Sequence, residues 1–153
     1  MRIRDLKSII MLSSWLLAAC QNYESPGKLF YEIEEIVNSY SDEKIIDLKK
    51  VYEFQWDTLY IFREFMHTDS INEIIGMHCN CDDVPDSLVL YIFIYQGEVV
   101  KKIIIEPTKY GFSNIEYLDF ERSIKIHSKE SKFKIFRSGN DNYLLEPLGK
   151  VSN

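Results

Sequence analysis

Leu29, Phe30, Ile33, Ile36, Val37 and Tyr40 recur at helical spacing, with Glu32, Glu34 and Glu35 set among the remaining positions. Residues three and four apart share a face, so this stripe predicts an amphipathic helix. Ser41-Asp42 can cap a second, shorter helical stretch running through Lys49, in which Ile45, Ile46 and Leu48 form a weaker stripe. From Phe54 to Phe62 the period changes to two. Phe54, Trp56, Thr58, Tyr60 and Phe62 alternate with Gln55, Asp57, Leu59 and Ile61, which predicts a first strand with an aromatic face.

Ser70-Ile71-Asn72-Glu73 has the spacing of a capping box, and Gly76 supplies a stop, giving a short helix with Ile71, Ile74 and Ile75 inward. Two apolar runs, Ser87 to Tyr95 and Glu98 to Ile105, flank Gln96-Gly97 and predict a hairpin. A turn there sets Leu90 opposite Ile103 and Ile94 opposite Val99 on an aliphatic face. It sets Tyr91 opposite Lys102 and Phe93 opposite Val100 on an aromatic one. Further strands are expected near Ile115 to Phe120, Ser123 to His127, Ser131 to Arg137 and Tyr143 to Glu146, with turns at Lys129-Glu130 and Ser138 to Asn142. This order predicts an α+β domain: a mostly antiparallel sheet with an N-terminal helix and a short helix packed on one face.

A length of 153 residues fits one such domain. The 46% hydrophobic and 14% aromatic content excludes disordered, collagen-like and repeat classes. A net charge of -6 argues against a nucleic-acid partner, which needs clustered Lys and Arg for phosphate contacts. Six Gly leave little for phosphate-cradling loops, and no nucleophile elbow, H-E-x-x-H or dinucleotide fingerprint occurs. The expectation is therefore a protein that is not an enzyme and carries no catalytic residues.

The N-terminus adds an address. Arg2, Arg4 and Lys7 stand against Asp5 and precede the apolar run from Ile9 to Ala19, the n-region and h-region of a signal peptide. That run is far shorter than the roughly 20 residues a spanning helix needs. The following Leu17-Ala18-Ala19-Cys20 resembles the lipobox of bacterial lipoproteins. The resemblance implies cleavage before Cys20 and a diacylglyceryl thioether on its sulfur, with acyl chains such as palmitate and no cofactor besides this covalent lipid. It divides the chain into a signal peptide at 1–19, a lipidated tether at 20–27 and one α+β domain at 28–153. Gln21, where sorting to the inner membrane uses Asp, implies an outer-membrane anchor facing the periplasm in organisms that have that membrane. An ordinary signal peptide cleaved after Ala19, with Cys20 free or disulfide-bonded, is the alternative. Removal of residues 1–19 takes away Arg2, Arg4, Lys7 and Asp5, so the net charge of -6 becomes -8.

With Cys20 lipidated, two thiols remain, in Met77-His78-Cys79-Asn80-Cys81-Asp82-Asp83. An oxidising compartment favours a disulfide between Cys79 and Cys81, helped by a turn at Asn80. Reduced thiols, and a metal site using His78, Cys79 and Cys81 with His67 as a possible fourth ligand, are the other two readings. The spacing is shorter than the usual zinc C-x₂-C.

Trp56-Asp57-x-Leu59-Tyr60-Ile61-Phe62, the helix ending Ile75-Gly76 and the hairpin after it together resemble a pattern of small uncharacterised envelope lipoproteins of bacteria. That resemblance carries no catalytic residue. His67, His78 and His127 are isolated in sequence, and Asp57 is expected to bond local backbone. Two functions are therefore carried forward. The first is a protein-binding lipoprotein of the immunity or inhibitor kind, sharing its profile with immunity lipoproteins of type VI secretion systems. Its contact face would be acidic, with Trp56, Tyr60, Tyr91, Phe93 and Tyr95 as anchors unless a helix covers that face. The second is a metal or thiol-redox protein centred on the His-Cys-Asn-Cys segment.

Overall fold

The computed structural model describes residues 22–24, 27–39, 44–106, 110–112, 117–118, 123–138 and 142–148. In chain order the elements are β1 (Asn22–Glu24), α1 (Lys28–Asn38), β2 (Ile45–Asp47), α2 (Leu48–Val51), β3 (Thr58–Phe62), α3 (Thr68–Ile75), β4 (Val89–Tyr95), β5 (Glu98–Ile105), β6 (Tyr110–Phe112), β7 (Tyr117–Leu118), β8 (Ser123–His127), β9 (Lys132–Ser138) and β10 (Asn142–Pro147), with a 3₁₀ turn at Ser128–Glu130 between β8 and β9. The fold is α+β, with mostly antiparallel pairing. Its strands divide into a larger sheet of order β1-β5-β4-β3-β8-β7 and a smaller one of order β2-β9-β10-β6. No helix among the described residues is long and apolar enough to cross a membrane.

Alternation along the larger sheet feeds two separate cores. Leu59, Ile61, Tyr91, Phe93, Ile103, Ile105, Ile124 and Ile126 face the smaller sheet and meet its Ile46, Phe133, Ile135, Tyr143 and Leu145, with Leu29 and Ile33 of α1 joining them. Tyr60, Phe62, Leu90, Ile92 and Ile94 face the other way and are covered by Ile71 and Ile75 of α3 and by Cys79, Cys81 and Val84 of the loop after it. β4 is thus covered on both sides, which explains its unbroken apolar run. α1 approaches β5 closely at its start: a Cβ on Gly27 would lie 3.0 Å from Ile105 Cγ2, so glycine is what allows the contact.

The hairpin turns at Gln96 and Gly97, both at positive φ (52° and 80°), the arrangement that matches the twist of paired strands. Ile94 pairs with Val99 as the turn requires. A bulge between Phe93 and Ile94 then shifts the register, so Tyr91 lies opposite Ile103 and Phe93 opposite Lys101. The expected Tyr91–Lys102 and Leu90–Ile103 pairs are replaced because Val100 is the extra residue.

Other differences share one cause, a partner distant in sequence. Ile45–Asp47, read as helix, is a strand on β9, and the helix that follows spans only Leu48–Val51. Residues 41–43, its expected cap, lie outside the described residues. The helix is instead capped by Asp47, whose Oδ1 accepts from Lys49 N at 3.0 Å and from Ser131 Oγ at 2.7 Å. β3 begins at Thr58 and not at Phe54, because β4 ends at Tyr95 and offers Phe54–Trp56 nothing to pair with. Asn22–Glu24, expected within a tether, pairs in parallel with Ile103–Ile105 of β5.

Candidate functional site

The chemically loaded segment forms the outer layer over the larger sheet. Cys79 and Cys81 are joined as a disulfide with a Cα–Cα distance of 5.3 Å, and Asn80 between them adopts φ 48°. Left-handed backbone at a residue that tolerates it brings alternate Cα atoms within bridging range. Asn72 of α3 fixes the loop from below: its Oδ1 accepts from Cys79 N at 2.7 Å, and its Nδ2 lies 3.2 Å from His78 Nδ1. From the sheet side, Lys102 Nζ donates to the Asn80 carbonyl. Partial burial holds the Lys102 ammonium below its ordinary range, opposed by the charge of Asp82.

α3 starts at Thr68, two residues before the expected capping box, with Ser70 inside the helix. Its cap comes from the loop. Asp83 Oδ1 accepts from Thr68 N at 2.6 Å and from Thr68 Oγ1 at 2.9 Å, while Oδ2 lies 3.0 Å from His67 Nδ1. The His67 hydrogen bond, followed by those of Thr68, holds the Asp83 carboxyl at about 2, below its ordinary 3.8. Gly76 ends the helix at φ 72°, as its sequence position suggests.

This geometry bears on the metal and thiol reading. The two sulfurs are bonded to each other, Cys79 is 2% and Cys81 8% exposed, and both belong to the core under α3. His78 is exposed and engaged with Asn72. Among the described residues no three His, Cys, Asp or Glu groups are placed to hold a metal ion. His67 serves the cap, and His127 precedes the 3₁₀ turn. Asp57 bonds backbone, but across the sheet and not locally as expected: its Oδ2 accepts from Gln96 N, 39 residues away, at 2.8 Å, and its N–H donates to the Ile94 carbonyl at 2.9 Å.

The expected aromatic anchors require correction. Tyr91 is 1% and Phe93 0% exposed, packed between the sheets with Tyr52, Phe54 and Trp56 around Phe93 at ring distances of 4.8, 4.9 and 5.7 Å. Trp56 is buried in the same core, and Tyr60 is buried on the opposite face beside Phe62. The aromatic face is covered by the second sheet, with Leu29 and Ile33 of α1 joining the same core, and is not open to solvent. Of the five, only Tyr95 stays partly exposed. Burial and the neighbouring Tyr110 and Tyr52 hold the Tyr91 phenol well above its ordinary value, and its hydroxyl lies 2.8 Å from that of Tyr110. A cleft of about 210 Å³ opens there, with Ile61, Arg63, Leu88 and Ile105 on its walls. Residues 107–109 and 113–116, which flank its β6 wall in sequence, lie outside the described residues, as does Cys20.

A different aromatic stands out. Phe65, in the β3–α3 turn, is 58% exposed at φ 63°, a conformation bulky residues rarely adopt. Phe65 N donates to the Val84 carbonyl at 3.0 Å and Val84 N to the Met66 carbonyl at 2.9 Å, which seats Met66 and Val84 in the core and turns Phe65 outward. Glu64 Oε2 accepts from Ser87 N at 3.1 Å and closes the turn. Glu64, Asp69, Glu73, Asp82, Asp83 and Asp86 are all exposed on this layer. The sequence offered one signal for the site, the polar break Arg63-Glu64 followed by a lone aromatic before the next helix. No protein-family model matches the chain, and no curated protein and no solved structure is detectably similar to it.

Proposed function

We propose that the chain is a lipid-anchored protein of the bacterial cell envelope, held through Cys20, and that it acts by binding a protein as an immunity protein or inhibitor does. The anchor rests on Leu17-Ala18-Ala19-Cys20 behind a basic n-region and a short apolar run. The observation that carries the binding reading is Phe65, an exposed ring on a conformation that costs about 1–2 kcal/mol for an L-residue. Burying such a ring in a partner's pocket contributes about 1.5–3 kcal/mol. The carboxylates on the same layer favour a basic partner, raising its association rate in a salt-dependent way.

The test is capture by the lipidated chain from envelope extract and from extracts of competing bacteria, run in parallel with Phe65→Ala and Cys20→Ala. A protein retained by the wild type, lost with Phe65→Ala and weakened by salt supports the reading. Retention unaffected by Phe65→Ala overturns the site, and Cys20→Ala remaining in the membrane fraction overturns the anchor.

A further inference from the structure

Cys20 is separated from β1 by Gln21 alone. Two residues of chain span at most about 7 Å, and paired strands lie about 4.8 Å apart. Because Asn22 pairs with Ile103, the Cα of Cys20 stays within roughly 12 Å of β5 whatever path Gln21 takes. This deepens the reading of Cys20 as the lipidated residue and rests on it: a lipid there leaves no spacer between the bilayer and the larger sheet.

We propose that the edge of the larger sheet at Val100–Lys102 rests on the headgroup layer of the bilayer that holds the lipid, so that the domain lies against the membrane. β1 covers only Ile103–Ile105, and among the described residues no strand flanks β5 from Glu98 to Lys102 on that side. The bulge leaves Val100 as an exposed apolar residue, beside the half-exposed Lys101, while Lys102 turns to the other face and is engaged with the Asn80 carbonyl. A lysine stem lies along apolar surface with its ammonium group in the polar layer, so Val100 and Lys101 match an interface of acyl chains under phosphates. The occupant of this edge is the lipid surface itself, chosen by the shortness of the leash and by an exposed apolar residue with a lysine beside it.

The full chain, processed in cells and reconstituted in vesicles of phosphatidylethanolamine and phosphatidylglycerol, tests this. Benzoylphenylalanine is placed at Val100 or, as a control, at Glu130. Glu130 is exposed and follows β8, about 14 Å across the sheet from β5. Photolysis is expected to give phospholipid adducts at position 100 in several-fold excess over position 130. Inserting about ten Gly and Ser residues between Gln21 and Asn22, a spacer of about 17 Å, is expected to bring the two yields together. Equal yields from lipidated, vesicle-borne protein before any insertion overturn the orientation while leaving the anchor intact. An intact mass lacking lipid overturns the anchor, and the orientation with it.

Discussion

Asp83 holds the first turn of α3 from outside the helix, its Oδ1 taking the Thr68 backbone N–H at 2.6 Å across a sequence separation of 15 residues. The residue in the usual capping position, His67, makes no side-chain bond to the helix backbone and instead braces the other carboxylate oxygen. The start of the helix and the shape of the disulfide loop are therefore one structural unit.

The Asp83 carboxyl titrates lower in the folded chain, at about 2, than at its ordinary 3.8. A depressed folded value means that the group's contribution to stability is complete above pH 3.8 and disappears as the pH falls through about 2. Asp83→Ala should unfold at lower denaturant than wild type at neutral pH, with the gap narrowing below pH 3.8. Urea midpoints measured along that range check it, and a gap independent of pH would sink the assignment.

Reduction of Cys79–Cys81 should cost only about 1–2 kcal/mol, because the bridge closes a very short loop. Asn72, Thr68 and Lys102 still hold the segment through Cys79 N, the Cys81 carbonyl and the Asn80 carbonyl. Urea unfolding with and without reductant measures the difference. Complete unfolding on reduction would show that these bonds do not hold the loop.

Phe65→Gly and Phe65→Ala both remove the ring, so their difference isolates the backbone. At φ 63° glycine should be the more stable variant by about 1 kcal/mol. Thermal or urea unfolding reports it. Equal stabilities would mean that residue 65 relaxes out of the left-handed region.

Phe93→Ala should destabilise by about 3–5 kcal/mol, as for a fully buried ring. Trp56→Phe should stay within about 1 kcal/mol of wild type. The indole N–H of Trp56 is buried without a hydrogen-bond partner among the described residues, and losing it offsets the smaller ring. Calorimetry of both variants checks the contrast, which a role in surface contact would not produce.

What can be read from the sequence is what the chain settles locally. Gln96-Gly97 specifies its own turn, and Gly76 its own helix end, because each needs only a backbone conformation at that place. Ile45–Asp47 misleads for the opposite reason: its helical look is local, while its strand state depends on β9. Alternation divided Tyr91 and Phe93 from Leu90 and Ile94 correctly onto two faces. Nothing in that alternation says that both faces are covered, so the aromatic one could be mistaken for a surface. Phe65 escaped because its outward turn is fixed by Val84, on the far side of α3 in sequence.

The link between Asp47 and Ser131, 84 residues apart, has a kinetic meaning. β2 has no sheet until β9 exists, and β9 in turn pairs with β10 near Asn142–Pro147. The inter-sheet core cannot close until almost all of the described chain is present, since loop-closure entropy must be met before such distant pairs can form. A chain emerging vectorially would therefore leave its smaller sheet, and the core beneath it, open until the last strands arrive.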